Sequence, residues 1–212
     1  MRPSLDDLAI KQQTDKMSLG HGYCTLYDVH LSPMRDLPIR FLEIGIYKGA
    51  SLRMWREYFT AADVHGVDID AKRCELIEGC TSHCYDMGKK DRLDDFANQH
   101  GSWDVVIDDG GHTMSQQQLA FETLWPRLNS GGYYIIEDIH SSFDNGYNDK
   151  SVATTLHMCE ALRDGKPFHS DWVPGPRLEQ FRAEIAEVVL WIRRPEHKGS
   201  DDNSATCLIR KR

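Results

Sequence analysis

Two short segments carry acids and imidazoles in a spacing that could do chemistry. "VIDDGGH" (residues 106–112) is an apolar run that ends in two adjacent carboxylates, two glycines and a histidine. "YYIIEDIH" (133–140) ends in the same way, with Glu137, Asp138 and His140. A single acid after a strand is usually a solvated loop residue. Two such clusters, each closing an apolar run, imply strands that deliver several carboxylates and histidines to one sheet edge. Oxygen donors without cysteine suit a hard divalent cation, magnesium rather than zinc. An imidazole beside such an ion titrates near neutral pH and can accept a proton. Taken alone, His112 reads equally well as a turn residue.

The elements that must position these groups alternate between strand and helix. "IRFLEIG" (39–45) reads as a buried parallel strand. It leads into a helix over "ASLRMWREYF", with Ser51 placed to cap and Leu52, Trp55, Tyr58 and Phe59 at helical spacing. "DVHGVDID" (63–70) is a second strand. "CELIEGCTSHCYD" predicts a short helix and a third strand ending near Asp86, and a polar helix follows from Arg92 to His100. "WDVVIDD" (103–109) is the fourth strand, "SQQQLAFETLWPRL" a helix stopped by "NSGG", and "GYYIIED" (132–138) the fifth strand. "SSFDNGYNDK" reads as a loop, and "SVATTLHMCEALRDGK" as a helix with Val152, Leu156, Cys159 and Leu162 on one face. "AEVVLWIRR" and "SATCLIRKR", separated by the polar "PEHKGSDDN", form an antiparallel pair at one sheet edge. The expected fold is α/β: a doubly wound, mostly parallel, seven-stranded Rossmann-like sheet in one domain. Ligands in that architecture bind outside the carboxyl ends of the strands.

Composition narrows the function. At 212 residues with 40% hydrophobic content and five Trp, the chain can bury a core without disulfides or a structural metal. The formal charge of −8 argues against nucleic acid or an acidic membrane as partner. The N-terminal "MRPSLDDLAI" is too acidic for a signal peptide, and no apolar run approaches membrane length, so a cytoplasmic protein is expected. Six cysteines lack the paired spacing of a zinc site and read as reduced thiols, with Cys24, Cys159 and Cys207 in the core. Most tryptophans read as core; Trp172, in "SDWVPGP", is free to meet a substrate. His21 and Tyr23 either close over a cofactor or pack on the surface.

The first loop, "LEIGIYKGASL", places Gly45 after the strand and Gly49 four residues later, so that backbone can pass close to a ligand. It lacks both the G-x-G-x-x-G and the G-K-[ST] pattern, and Glu43 would sit poorly beside a pyrophosphate. Asp68, with Asp70 in reserve, can accept hydrogen bonds from ribose hydroxyls. A cofactor with a ribose and no phosphates fits these constraints, which points to S-adenosylmethionine. Asp108 has three open roles: holding that cofactor's amino group, supporting a metal shell, or capping the following turn.

Taken together, "TDKMSLGHGY", "FLEIGIYKGASLRMWREYF", "HGVDID", "VVIDDGGH" and "GGYYIIEDIH" resemble the metal-dependent sugar O-methyltransferases of the macrocin and mycinamicin type, related to cephalosporin hydroxylase-like proteins. The similarity runs over about residues 14–140. It implies a class I methyltransferase fold, S-adenosylmethionine and Mg²⁺ as cofactors, and a small-molecule or glycoside substrate. By the same resemblance Asp109, Glu137 and Asp138 are the metal ligands and His112 the general base, while Glu43, Gly45, Ser51, Asp68 and Asp86 line the cofactor site. Residues 1–35 become an N-terminal cap, residues 140–180 a substrate lid, and a homo-oligomer is compatible. Two alternatives stay open: a protein of this fold that binds S-adenosylmethionine or metal without methyl transfer, and a nicotinamide-dependent oxidoreductase, for which the glycine fingerprint is missing.

Overall fold

The computed structural model describes residues 2–74, 77–144, 146, 147, 149, 153–193 and 204–212. Among them, β1 (Arg40–Ile44), β2 (Asp63–Asp68), β3 (Thr81–Cys84), β4 (Trp103–Asp108), β5 (Leu128–Ile136), β6 (Ile185–Arg193) and β7 (Ser204–Lys211) form one seven-stranded sheet. Its order is β3-β2-β1-β4-β5-β7-β6. The first five strands are mutually parallel, and β7 runs antiparallel between β5 and β6. This is the α/β sheet with an antiparallel edge pair that the strand pattern implied.

Helices α1 (Leu5–Gln12), α2 (Tyr23–Leu31) and α3 (Ala50–Tyr58) cover one face, and α4 (Lys90–His100), α5 (Met114–Leu124), α6 (Thr155–Asp164) and α7 (Gly175–Glu184) cover the other. Side chains alternate along a strand. Phe41, Val105, Ile107 and Ile135 therefore join the core under the first group, and Leu42, Val106 and Ile136 the core under the second. Trp55, Trp103 and Trp125 are fully buried, and Trp172 is 38% exposed. All six cysteines are free, with Cys24, Cys159 and Cys207 buried. Among the described residues no helix is long and apolar enough to cross a membrane.

Several local expectations need correction. Ser51 does not cap α3: Gly49, with φ +70, is the residue before the helix, and the Ser51 hydroxyl turns inward to Glu43. The short helix expected around 74–79 is replaced by turns at the residues described there; 75 and 76 lie outside them, as do Val152 and the linker over 195–203. "NSGG" does not simply stop a helix. Pro126 ends α5 in a 3₁₀ turn, and β5 starts at Leu128, running through both glycines with a register shift against β4. Helix α7, which had no counterpart in the sequence reading, anchors through Leu178 and Phe181.

Candidate active site

The sheet reverses direction between β1 and β4, since β2 and β3 extend one way from β1 while β5 and β7 extend the other way from β4. The carboxyl ends of β1 and β4 flank the crevice where a doubly wound sheet binds ligands. A cavity of about 530 Å³ opens there. Gly45, Ser51, Asp68, Asp86, Asp108, Asp109, His112 and Asp138 line it; Glu43 and Glu137 do not.

Backbone conformation shapes the walls. Gly45 has φ +97, and a Cβ there would lie 2.1 Å from the Asp109 carbonyl oxygen, so only glycine lets the first loop pass this close to the β4 end. Among the described residues five non-glycine residues have positive φ, and Tyr47, His112 and Asp138 are three of them. Strain of this kind concentrates where a structure holds functional groups. Asp68 fixes the first loop from below: its Oδ2 accepts from the Ile46 and Tyr47 amides at 3.0 and 3.1 Å and its Oδ1 from Asp70 at 2.9 Å. Burial raises its pKa, but these amides and Arg73 outweigh burial and hold it below the ordinary carboxylate value. Asp70 is not part of the cavity wall. Asp86 accepts from the Gly88 amide at 3.1 Å.

Asp108 caps its turn through Oδ1, which accepts from the Gly110 amide at 3.3 Å, while Oδ2 is buried without a partner. Burial, with the charge of Asp109 adding to it, pushes this carboxyl up to about 7.

Strand parity explains the acids on the opposite face. Glu43 pairs across with Ile107 and Asp108 with Ile136, so Glu43, Asp109 and Glu137 project from three adjacent strands onto the face covered by α1–α3. The residue that meets them is Lys16, from the segment between α1 and α2 and only 1% exposed. Its Nζ lies 2.6 Å from Asp109 Oδ2, 2.6 Å from Glu137 Oε2 and 3.5 Å from Glu43 Oε1. Burial lowers an ammonium's pKa, yet the three carboxylates more than offset it and hold Lys16 well above its ordinary value. One cation is shared by three acids, of which Glu43 and Glu137 are buried and Asp109 half-buried, and desolvation pushes Asp109 up and Glu137 well up.

Lys16 has no counterpart in the site read from sequence. Glu43 does not line the cavity: Ser51 Oγ donates to it at 2.7 Å and Trp55 Nε1 at 3.3 Å. Glu137 is likewise engaged on both oxygens, Oε1 accepting from the Tyr27 hydroxyl at 3.0 Å. Among the described residues, Asp109, His112 and Asp138 come together as a metal-type donor set, with ligand atoms within 4.8 Å of one another. His112 Nε2 is 3.6 Å from Asp138 Oδ2, and the Tyr23 hydroxyl donates to Asp138 Oδ1 at 2.7 Å. Burial would raise Asp138, but His112, the Tyr23 hydroxyl, His21 and His140 overcome it and hold the carboxyl low. His21 stacks on the buried Tyr23 at 5.2 Å between ring centroids, and neither lines the cavity.

Residues 42–139 match the family described as a methyltransferase domain. Over 197 residues the chain is 34% identical to 8-demethyl-8-(2-methoxy-alpha-L-rhamnosyl)-tetracenomycin-C 3'-O-methyltransferase of Streptomyces olivaceus, covering 84% of this chain and 49% of that protein. L-olivosyl-oleandolide 3-O-methyltransferase of Streptomyces antibioticus is 36% identical over 175 residues, covering 76% of this chain and 45% of that one. The crystal structure of MycE methyltransferase from the mycinamycin biosynthetic pathway, in complex with Mg and SAH, superposes with a TM-score of 0.78 at 25% identity over 100% of this chain and 55% of that one. The chain spans about half the length of the curated relatives it matches. In sequence and in fold the chain is similar to sugar O-methyltransferases over about half their length, and it holds a methyltransferase domain of the class I fold.

Proposed function

We propose that this chain carries the catalytic domain of a divalent-metal-dependent O-methyltransferase that moves a methyl group from S-adenosylmethionine to a hydroxyl of a sugar or glycosylated natural product. The observation that carries the reading is one continuous cavity wall running from Asp68 to Asp109, His112 and Asp138. A ribose acceptor and a cation seat thus share one space. MycE, which superposes on the whole chain, was crystallised with Mg, SAH and mycinamycin VI.

The residues present fit both groups. Asp68 and the loop after β1 are placed for the ribose, and the unpaired Asp108 Oδ2 is the acceptor for an amino group. For the ion, the excess of buried carboxylate over ammonium is the electrostatic condition a divalent cation relieves. Asp109, Glu137 and Asp138 supply the oxygen donors, with Lys16 between Asp109 and Glu137 as the counter-charge while no ion is bound. Bound there, the ion would lower the pKa of the acceptor hydroxyl. His112 then takes the proton, with Asp138 beside its Nε2 stabilising the imidazolium. Rigid strand ends hold donor pocket and proton acceptor in fixed relation, as in-line transfer requires. Within the same reading residues 1–35 cap the site, residues 140–180 supply the substrate lid with Trp172 exposed on it, and the protein works in the cytoplasm, as a monomer or a homo-oligomer.

Calorimetry with S-adenosylmethionine and NAD⁺, followed by turnover on a panel of glycosides with and without Mg²⁺, tests the proposal. Binding of the sulfonium compound and Mg²⁺-dependent methylation are expected. Preference for NAD⁺, or cofactor binding with no methyl transfer to any vicinal diol, would overturn it.

A further inference from the structure

We propose that Gln116 is the residue that selects the cofactor's base: its side-chain amide, with the Asp86 carboxylate, forms a donor and acceptor pair that takes adenine and excludes a 6-oxopurine. This rests on the S-adenosylmethionine reading above and adds which side chains recognise the base within it.

The layout of the cavity leaves one place for that base. Asp68 stands for the ribose, and the unpaired Asp108 Oδ2 for the amino-acid end. Base and methionine chain leave a ribose on either side of its ring oxygen and run apart, so the base meets the remaining wall. Tyr85, Asp86, Met87 and Gly88 form that wall from the loop after β3, and Gln116 and Ala120 from α5. Met87, 8% exposed, and Ala120, 2% exposed, give it apolar surface for a flat ring. Its polar atoms converge on Gly88: a Cβ there would lie 2.9 Å from Gln116 Nε2 and 3.3 Å from Asp86 Oδ1. The amide is fixed from the far side. Its Oε1 accepts from the Thr113 hydroxyl at 3.0 Å, and a Cβ on Gly111 would lie 2.1 Å from that same oxygen. Two glycines thus make room for one carboxamide, and Thr113 turns its Nε2 end toward the loop after β3. An ionised Asp86 only accepts, and an amide nitrogen only donates. Adenine offers the complement along one edge, a 6-amino donor beside the N1 acceptor. Hypoxanthine presents O6 and N1–H there, the reverse at both atoms.

Gln116 also lies in the first turn of α5, facing the N-cap Thr113. If its side chain served only that cap, glutamate would serve as well, and no variant would alter which base is bound. The test is calorimetry on the whole chain with S-adenosylhomocysteine and its deaminated analogue S-inosylhomocysteine, for the wild type, Gln116→Met and Gln116→Glu. Thermal melts would confirm that each variant is folded. The wild type should prefer the adenine compound by roughly 100-fold or more, because the analogue sets acceptor against acceptor and donor against donor. Gln116→Met removes the donor, and the preference should narrow by roughly tenfold or more. Gln116→Glu keeps an oxygen for Thr113 but puts an acceptor where the donor stood, so the preference should narrow at least as far. Equal binding of the two compounds by the wild type, or the full wild-type preference in either variant, would overturn the assignment of Gln116 and leave the cofactor reading standing. Should one variant fail to fold, the other decides. A wild type that binds neither compound would overturn the cofactor reading and this assignment with it.

Discussion

At Asp108 one carboxylate oxygen caps a turn while the other is buried, unpaired and on the cavity wall. An acceptor left bare at that depth costs stability unless a ligand completes it. The proposed partner is the amino group of S-adenosylmethionine. Asp108→Asn keeps an oxygen for the Gly110 amide but removes the charge, and S-adenosylmethionine affinity measured by calorimetry should fall by roughly tenfold or more. Mn²⁺ affinity should hold; an unchanged cofactor affinity would reduce Asp108 to a turn cap. His112 is tested by rate. Its alanine variant should bind both ligands and lose about 10²–10⁴-fold in turnover, the usual weight of a general base. Full turnover in that variant would strike it from the mechanism. These two residues were legible because each sits in a short motif after an apolar run. Lys16 was not, although "TDKMSLGHGY" stood out as a block: nothing in a polar segment without periodicity says which sheet face it crosses. Counting parity along the strands would have shown three acids on one buried face and hence the need for a cation.

The loop after β1 is the element on which the site depends most. With φ +97 at Gly45 and the Asp109 carbonyl where its Cβ would go, Gly45→Ala must move either the loop or the Asp109 backbone after β4. We expect a stability loss of about 1–3 kcal/mol, the cost of one strained backbone position, read as a shift in the denaturant midpoint. Mn²⁺ binding should weaken alongside it. A variant with wild-type stability and ion affinity would show that the close approach is dispensable. Among elements, the parallel strands were plain in the sequence because each is an apolar run bounded by glycine or acid. Element edges were less so. Ser51 looked like a cap, but the local bond it makes is to buried Glu43, and a left-handed Gly49 starts the helix without a side-chain cap. Helix α7 was hidden because only Leu178 and Phe181 of its ten residues are buried and prolines flank its start, so its sequence lacks the apolar stripe of a core helix.

At the scale of the whole sheet, among the described residues, ionisable groups gather at more than one edge. Besides the acidic edge, three imidazoles meet away from the cavity: His65 Nδ1 lies 2.8 Å from His83 Nε2, and the His83 and His100 rings are 4.1 Å apart. Asp63, 2.8 Å from His65 Nε2, is the acid beside them and Arg40 the nearby cation. Burial, then His100 and His65, lower the His83 pKa to about 4. The unfolded chain, near 6.5, binds the extra proton first. The contribution of a neutral His83 is therefore present above about pH 6.5 and is lost as pH falls through about 4. Denaturation midpoints of the wild type should drop over that window, and His83→Gln should flatten the slope; parallel slopes would contradict the assignment. The fold class and the acids of the β4 and β5 ends were readable from sequence, whereas the pairing of those acids with Lys16 depends on which face each projects from. In the proposed reading the ion's seat and the cofactor cavity meet at that edge. Anomalous scattering from crystals grown with Mn²⁺ and S-adenosylhomocysteine tests it most directly. One peak is expected within bonding distance of oxygens of Asp109 and Asp138, with the cofactor's ribose at Asp68; no peak at this edge, or a cofactor bound elsewhere, would contradict it.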